Sequence, residues 1–412
     1  MKERDLSRRK FLTNSALIGA AGVVAPAILA SCGNGQKNAG LTPLKNEGEY
    51  YVPELPDKAI DGKELKVGVI GCGGRGSGAV FNLLDAANGI TVTALGDVFA
   101  DRLEDLRNRL KNDRQQEVPQ EACFIGFDAY QKVVDSGVDM VIIATPPVFR
   151  PIHFQYATEK GGHSFLEKPI AVDPKGYRTI MATAKQAQAK GLSVITGTQR
   201  HHERRYVEAN KQIQAGLIGE ITGGNVYWNQ GMLWYREREA GWSDMEWNIR
   251  DWVNWTWLSG DHIVEQHVHN IDVFLWMSGL KPATATSFGA RHRRVTGDQF
   301  DMFSTDFVLE NGIHLHSMCR QINGCSNKIS EYIQGTKGSW DSETNEIKDL
   351  QGNVLWKYDE EAANQEFKQH DPYVLEHVDW VNHIRKGTAH EEATECATSC
   401  MAAIMAREAA YT

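Results

Sequence analysis

The chain has 412 residues, 42% of them hydrophobic, which is enough for two globular domains with separate cores. Its formal net charge at pH 7 is −9. This acidic balance argues against nucleic acid or an anionic membrane surface as a partner, because both attract basic faces. We therefore expect the chain to recognise a small molecule.

Residues 1–32 have the pattern of an export signal. A twin-arginine sequence lies at Ser7–Leu12, and the apolar run Ala16–Ala30 that follows it is shorter than the about 20 residues of a spanning helix. The run ends in Leu29–Cys32, which is similar to the lipobox of bacterial lipoproteins and predicts lipidation of Cys32. We expect a periplasmic lipoprotein, exported by the twin-arginine route, that contacts the membrane only through this anchor.

The remaining cysteines predict neither a disulfide framework nor a metal site. They lack paired CxxC spacing and neighbouring ligand histidines, so we interpret most of them as small apolar core residues. Free thiols suit an exported protein that finishes folding in the reducing cytoplasm. These cysteines are Cys72, Cys123, Cys319, Cys325, Cys396 and Cys400.

Residues 33–62 are predicted to be a tether, and residues 63–199 to be an α/β domain. Within the second range, apolar runs typical of fully buried strands alternate with helical stretches. Such alternation predicts a doubly wound parallel sheet, the Rossmann architecture. The expected strands are Lys66–Gly71, Ile90–Asp97, Val138–Thr145, His163–Glu167 and Leu192–Thr198.

Residues 200–412 are predicted to form an α+β domain with an open, mainly antiparallel sheet. A helix at Tyr206–Ala215 leads into runs of alternating polarity, and Asn311-Gly312 between two of them is a strong hairpin signal. A helical segment from Tyr373 to Ala409 closes the chain.

A glycine loop follows the first predicted strand directly and opens the first helix. It matches the dinucleotide fingerprint, in which Gly71 permits the turn, Gly73 lets the backbone approach the pyrophosphate and Gly76 allows close helix–strand packing. The pyrophosphate is expected at the helix N-terminus, where free N–H groups favour negative charge. We expect the cofactor to contact Gly71, Gly73, Gly74, Arg75 and Gly76.

Asp97 ends the second strand, where a carboxylate can accept hydrogen bonds from the adenosine ribose. An acid at this position repels a 2′-phosphate. The sequence therefore predicts NAD as the cofactor rather than NADP.

Two stretches carry candidate catalytic residues. Lys168 follows a strand at the sheet edge where ligands bind, and it could hydrogen-bond a substrate hydroxyl. If residues 260–272 are helical, Glu265 and His269 share a face, and His262 lies on it one turn earlier. Histidine and glutamate at helical spacing can also bind zinc. Because no HExxH pattern is present, we predict no metal.

Tryptophan suggests a carbohydrate substrate. Seven of the eleven tryptophans lie between residues 228 and 257, and indole faces stack on the apolar faces of sugar rings. More than half of the seven are expected to fill the core instead. The candidate substrate-binding residues are Arg200, Tyr206, Trp252, His262 and Asp272.

At these residues the chain resembles the Gfo/Idh/MocA family of dehydrogenases. The marks are the glycine loop, Ala144–Pro147 after the fourth strand, Glu167–Pro169, and Glu265 with His269. The resemblance implies cofactor contacts at Thr145, Pro146, Glu167 and Lys168. It also implies a homodimer or homotetramer built through the open sheet.

In that family a lysine, an aspartate and a histidine form the catalytic group. Lys168 and His269 match, whereas Glu265 replaces the aspartate and His267 replaces a usual glycine, which leaves the base open between His269 and Lys168. The implied reaction is hydride transfer between a sugar or glycoside hydroxyl and NAD. Because export leaves little free NAD available, the cofactor is expected to stay bound and be recycled, unless the reaction is redox-neutral.

Two alternatives remain. The chain is also similar to NAD-dependent glycosidases of the same fold, in which oxidation, elimination, hydration and reduction leave NAD unchanged. That group often lacks the lysine found here as Lys168, which favours a dehydrogenase. A non-catalytic, lipid-anchored carbohydrate-binding protein would have lost its cofactor contacts, whereas the glycine loop and Asp97 are intact.

Overall fold

A computed structural model describes residues 41–46 and 48–412. The predicted export signal and Cys32 lie outside the described residues. Two sheets organise the described part, one parallel with six strands and one mainly antiparallel with eight, and the predicted fold class is confirmed. No helix in residues 41–46 and 48–412 has the length and apolar character needed to cross a membrane.

The first sheet has the strand order β3-β2-β1-β4-β5-β6, with every pairing parallel. The order reverses between β1 and β4, and at such a point the carboxyl ends of the strands leave a crevice. Its strands are almost entirely buried because helices cover both faces. They are β1 (Leu65–Ile70), β2 (Ile90–Asp97), β3 (Cys123–Ile125), β4 (Met140–Ile143), β5 (His163–Leu166) and β6 (Val194–Thr196).

The helices of this half alternate with the strands as the sequence predicts. The last of them, α5, is the clearest sequence signal, because Asp173 caps it by accepting a hydrogen bond from the Gly176 amide at 2.6 Å. The five are α1 (Gly74–Ala86), α2 (Ala100–Arg114), α3 (Ala129–Asp135), α4 (Arg150–Lys160) and α5 (Pro174–Ala189).

The second sheet has the order β14-β13-β12-β11-β7-β10-β9-β8. The predicted hairpin at Asn311-Gly312 joins β9 to β10, and Gly312 supplies the positive φ of 86°. Among the described strands of this second sheet, the pairing of β7 with β10 is parallel and the other pairings are antiparallel. The strands are β7 (Ile221–Gln230), β8 (Pro282–Ala290), β9 (Met302–Leu309), β10 (His314–Gln321), β11 (Lys328–Gly335), β12 (Gly338–Asp341), β13 (Glu346–Asp349) and β14 (Val354–Lys357).

The helices of the second half differ from the prediction in two places. The stretch 260–272 is not one helix, because it breaks at Gln266 and His267. The closing segment is two helices, and Gly387, with φ 67°, ends the first of them. The helices are α6 (Arg204–Gln214), α7 (Asp244–Arg250), α8 (Thr256–Ser259), α9 (His262–Glu265), α10 (Val268–Ser278), α11 (Glu360–Glu366), α12 (Pro372–Lys386) and α13 (Ala393–Tyr411).

The end of the chain returns to the first sheet. Val374, Val378 and Trp380 of α12 pack in the same buried cluster as Val80 and Leu83 of α1. Helix α12 therefore completes the core of the nucleotide-binding half, although it lies far beyond residue 199 in sequence.

Part of the predicted tether packs on the body. The Leu44 amide donates a hydrogen bond to the Gln214 carbonyl at 2.8 Å, and the Tyr51 hydroxyl donates to both carboxylate oxygens of Asp379, at 2.8 and 2.7 Å. Leu44 is partly buried against the core of the second half, and the Tyr51 ring stacks on His390 at a centroid distance of 3.7 Å. Both contacts remove apolar surface from water.

Candidate active site

The main cavity of the described residues, of about 650 Å³, opens at the carboxyl ends of β1, β2, β4, β5 and β6. Strand β7 and the segments 234–252 and 265–269 close it from the side of the second sheet. Nicotinamide dinucleotides bind at this edge of a doubly wound sheet.

The glycine loop forms one wall, and two of its glycines, Gly71 and Gly76, leave no room for a side chain. Gly71 has φ 93°, and a Cβ added there would lie 2.7 Å from the Thr145 amide nitrogen. A Cβ at Gly76 would overlap the carbonyl oxygen of Gly71, so α1 can approach β1 only because Gly76 has no side chain.

Helix α1 begins at the cavity. Gly73, Gly74 and Arg75 line the cavity at the first turn of α1, where backbone N–H groups have no intrahelical partner. A Cβ added at Gly74 would meet no atom within 4 Å, so the loop leaves open space beside the helix N-terminus. These residues fit a pyrophosphate group, which the helix dipole and the free amides stabilise.

Asp97 lies at the end of β2 and is nearly buried. Its Oδ2 accepts a hydrogen bond from the Cys72 amide at 2.6 Å, and its Oδ1 accepts one from the Phe99 amide at 2.9 Å. Burial raises the pKa of Asp97, while these two amides oppose that effect. The carboxylate therefore fixes the glycine loop as well as lining the cavity.

Arg75 joins the glycine loop to the end of β5. Its Nε donates a hydrogen bond to Glu167, and its guanidinium lies over the Tyr373 ring, 4.5 Å from the ring centroid. Glu376 of α12 lies 3.6 Å from Nη2 on the other side. The neighbouring carboxylates raise the pKa of Arg75 in spite of its burial.

Arg150 fixes the loops that follow β4 and β5. Its Nε donates to the Thr145 carbonyl at 2.8 Å, and its Nη1 donates to the Glu167 and Pro169 carbonyls at 2.8 and 2.7 Å. Burial lowers the pKa of Arg150 to about 10, which still leaves it cationic at neutral pH. Thr145 and Pro146 lie on the loop after β4, which Arg150 fixes, and both line the cavity.

Lys168 points from β5 toward the second half of the chain. Its Nζ donates hydrogen bonds to the Glu265 backbone carbonyl at 2.6 Å and to Glu265 Oε1 at 3.2 Å. The side chains of Lys168 and Glu265 are only 12% and 7% exposed, so this ion pair is screened little by solvent. Both residues line the cavity.

His269 lies at the start of α10, on the same cavity wall as Glu265, even though the helix between them is broken. Its ring stacks on Trp228 at a centroid distance of 5.5 Å. Burial, reinforced by the positive charges of Lys168 and Arg200, holds the pKa of His269 well below 6.5. The imidazole is therefore neutral and can accept a proton.

The structure does not bring every predicted substrate residue to the cavity. Arg200 and Tyr206 bind Glu331 beneath Trp228, His262 pairs with Asp261, and Asp272 pairs with His201 and Ser399. Each of the four is buried against a partner of opposite charge or hydrogen-bonding capacity. The break at Gln266 and His267 turns His262 away from the face that carries His269.

Three of the seven clustered tryptophans line the cavity, namely Trp228, Trp234 and Trp252. Trp234 and Trp252 meet edge to face at 6.2 Å. The other four lie outside the cavity lining. The prediction that more than half of the seven fill the core is wrong, because none of them is fully buried and Trp257 is 41% exposed.

Sequence patterns missed several lining residues. They follow strands β2, β4 and β6 or come from the second half of the chain, and only position after a parallel strand could have pointed to the first group. They are Phe99, Arg102, Arg150, His153, Gln199, Arg236, Gln266 and Tyr373.

Both halves of the chain match one protein family. Residues 65–196 match the oxidoreductase family with an NAD-binding Rossmann fold called Gfo/Idh/MocA, and residues 206–341 match the C-terminal domain of that family. The chain belongs to the Gfo/Idh/MocA family. Its N-terminal half is thus an NAD-binding Rossmann domain, which confirms the predicted cofactor.

Curated relatives match part of the chain. A glycosyl hydrolase family 109 protein of Streptomyces coelicolor is 28% identical over 224 residues, which are 53% of this chain and 44% of that protein. A scyllo-inositol 2-dehydrogenase (NAD(+)) of Bacillus subtilis is 26% identical over 157 residues, 38% of this chain and 42% of that one. The chain thus spans less than half the length of these relatives.

Solved structures of the family share the fold over most of their length. Scyllo-inositol dehydrogenase from Lactobacillus casei, solved with NAD(H) and scyllo-inositol, has a TM-score of 0.62 at 20% identity, covering 84% of this chain and 96% of that one. Aldose-aldose oxidoreductase from Caulobacter crescentus, complexed with glycerol, has a TM-score of 0.66 at 14% identity, covering 84% and 98%.

The close contact at Gly76 predicts different effects of two alanine substitutions in α1. Gly76→Ala forces the helix off β1 and should lower the free energy of unfolding by about 1–3 kcal/mol. It should also weaken NAD binding at least about tenfold, or roughly 1.4 kcal/mol. Thermal unfolding and calorimetric titration with NAD measure both effects.

The matched control is Gly78→Ala, whose added Cβ would lie 3.4 Å from Arg75 Nη1 and touch no backbone. This variant should be as stable as the parent or more so, because alanine favours the helix, and should bind NAD normally. Equal NAD affinity of the Gly76 and Gly78 variants would contradict the assigned pyrophosphate site.

Proposed function

We propose that this protein oxidises a secondary hydroxyl of a sugar or glycoside, using NAD bound in the cavity. The observation that carries the proposal is the shared wall on which neutral His269 lies beside the Lys168–Glu265 pair. The glycine loop lies in the same cavity. A base, a cationic donor and a dinucleotide fingerprint are the parts that oxidation of an alcohol requires.

His269 is the general base of the proposed reaction, and Lys168 stabilises the developing alkoxide. The backbone carbonyl and the carboxylate of Glu265 accept hydrogen bonds from Lys168 Nζ. An ammonium group has three N–H donors, so Lys168 has one left for the substrate oxygen. His269 is kept neutral by its surroundings and is free to take the hydroxyl proton. NAD, when bound, supplies the hydride acceptor.

The cavity wall supports a carbohydrate as the substrate class. Trp228, Trp234 and Trp252 offer indole surfaces, while Gln266 and Arg236 offer polar groups on the same side. Aromatic faces with a few polar groups suit a ring that carries hydroxyls. Relatives named as inositol dehydrogenases support a polyhydroxylated ring as well.

A contact between the two halves supports retention of the cofactor. Arg250 binds Asp101 of α2 through two hydrogen bonds of 3.0 Å, and its guanidinium lies over the Phe99 ring at 3.9 Å. Segment 234–252, here called the strap, contributes Trp234, Arg236, Ile249 and Trp252 to the lining of the cavity. We propose that this strap keeps NAD bound through successive turnovers.

Redox-neutral glycoside hydrolysis is the second candidate. Relatives named glycosyl hydrolase family 109 proteins support it, and a retained cofactor suits it equally. The presence of Lys168 favours the dehydrogenase, because the NAD-dependent glycosidases that the chain resembles often lack this lysine.

Incubating the purified protein with nitrophenyl glycosides and no added NAD tests the two candidates. The dehydrogenase should yield a keto-glycoside and reduced cofactor in amounts no greater than the enzyme, until a carbonyl acceptor such as a free aldose restores turnover. Catalytic release of nitrophenol without an acceptor would contradict it and favour the hydrolase.

Variants of the proposed base sharpen this experiment. His269→Gln should lower turnover by about 10²–10⁴-fold while NAD still binds.

Because the pKa of His269 lies well below 6.5, kcat/KM of the parent should stay level as the pH falls through 6.5. Lys168→Met removes a neighbouring positive charge, so the acid limb should move to higher pH. A parent profile that falls near pH 6.5 would contradict these roles.

We also propose export by the twin-arginine route, lipidation of Cys32 and assembly into a dimer or tetramer. The motifs at Ser7–Leu12 and Leu29–Cys32 support the first two proposals. Large apolar side chains exposed on strands of the second sheet support assembly, with Phe288 of β8 72% exposed and Leu355 of β14 46% exposed.

Fractionation of cells that express the full chain tests export and lipidation, and sedimentation of the purified protein tests assembly. In cells that express the full chain, the protein should fractionate with membranes, and Cys32→Ser should release it. Sedimentation equilibrium in detergent should give two or four copies. Fractionation of both forms with the cytosol, or a monomer at micromolar concentration, would contradict the corresponding proposal.

A further inference from the structure

A second cluster of histidine and carboxylate side chains lies outside the active-site cavity. His202 ends a short 3-10 turn after β6, Asp379 lies on α12 and Glu392 directly precedes α13. All three are buried, and their donor atoms lie within 4.8 Å of one another. Three chain segments therefore meet at one set of metal-ligating atoms.

The separations match those of zinc ligands. His202 Nε2 lies 3.1 Å from Asp379 Oδ2 and 3.6 Å from Glu392 Oε1. Zinc binds nitrogen and oxygen at about 2.0–2.1 Å in a tetrahedron, which places ligand atoms roughly 3.3 Å apart. The cluster is thus close to the size of a zinc site before any movement.

A fourth donor lies beside these three. His390 Nε2 is 3.6 Å from the same oxygen of Glu392, too far for a hydrogen bond, and it makes none with another described residue. Its ring stacks on Tyr51 at a centroid distance of 3.7 Å. His390 is not one of the three residues whose donor atoms all lie within 4.8 Å of one another, so its side chain must turn to complete a tetrahedral set.

Neighbouring groups orient the two carboxylates. Glu392 Oε2 accepts a hydrogen bond from the Thr196 amide at 2.9 Å, which leaves Oε1 facing the histidines. The Tyr51 hydroxyl donates to Asp379. Hydrogen bonds of this kind orient the ligands of protein metal sites.

The charge of the cluster suits a divalent cation. Asp379 and Glu392 supply two carboxylate groups, whose combined charge one Zn²⁺ neutralises. Nitrogen and oxygen donors without sulfur are compatible with Zn²⁺.

We propose that His202, Asp379 and Glu392 bind one structural Zn²⁺ and that His390 turns toward the ion as the fourth ligand. The side chains of His202, Asp379 and Glu392 are at most 4% exposed, which leaves no open position for substrate. The ion would join α12 and the start of α13 to the turn that follows β6. That turn begins at Gln199, which lines the active-site cavity.

Metal analysis of the purified full chain is the direct test. We expect about one zinc per chain, X-ray absorption with nitrogen and oxygen neighbours only, and a fall in Tm on chelation that added Zn²⁺ reverses. Absence of zinc together with no Tm change on adding Zn²⁺ would overturn the proposal. Sulfur neighbours would also overturn it, because they would assign the ion to cysteine.

The preceding residue gives a matched control. His201 is equally buried and binds Asp272 at 2.7 Å, without a second carboxylate at ligand distance. We expect His202→Gln to lose zinc and His201→Gln to retain it. If His202→Gln does not fold, His390→Gln, at the less buried side, replaces it. Equal zinc content in the two histidine variants would overturn the assignment.

Discussion

The adjacent residues Glu167 and Lys168 hold the active-site cavity together, because each pairs with a different wall. Glu167 binds Arg75 of the glycine loop, and Lys168 binds Glu265 from the second half of the chain. Glu167, Lys168 and Glu265 are largely removed from water, so loss of the partner leaves a buried, uncompensated charge. The end of β5 therefore fixes the distance between the dinucleotide loop and the proposed catalytic group.

The same surroundings keep His269 neutral. Lys168 and Arg200 act on His269 in a buried environment, so protonation of its ring is unfavourable. In the proposed reaction, neutral His269 accepts the hydroxyl proton and Lys168 donates a hydrogen bond to the developing alkoxide. The strap, which Arg250 joins to Asp101 of α2, lines the same cavity, and this contact suits the proposed retention of the cofactor.

The sequence predicted those parts of the site that depend on short stretches of the chain. The glycine loop, Asp97 and Lys168 each follow a recognisable strand, and the carboxyl ends of parallel strands meet at one edge. Helical spacing correctly suggested that Glu265 and His269 lie together, but it could not predict the break at Gln266, since that depends on tertiary packing.

Long-range contacts could not be predicted in the same way. The return of α12 to the first sheet joins residues nearly 300 positions apart, and the cluster around Asp379 combines three segments without any sequence spacing typical of metal sites. Single-sequence patterns report periodicity and neighbouring residues only.

The account depends most on NAD being held in this cavity beside His269 and Lys168. The most direct test is to denature the purified full chain and identify the released small molecule by mass and nicotinamide absorbance. The account predicts NAD or NADH at about one per chain. Release of no dinucleotide, from a protein that also fails to bind added NAD, would contradict it.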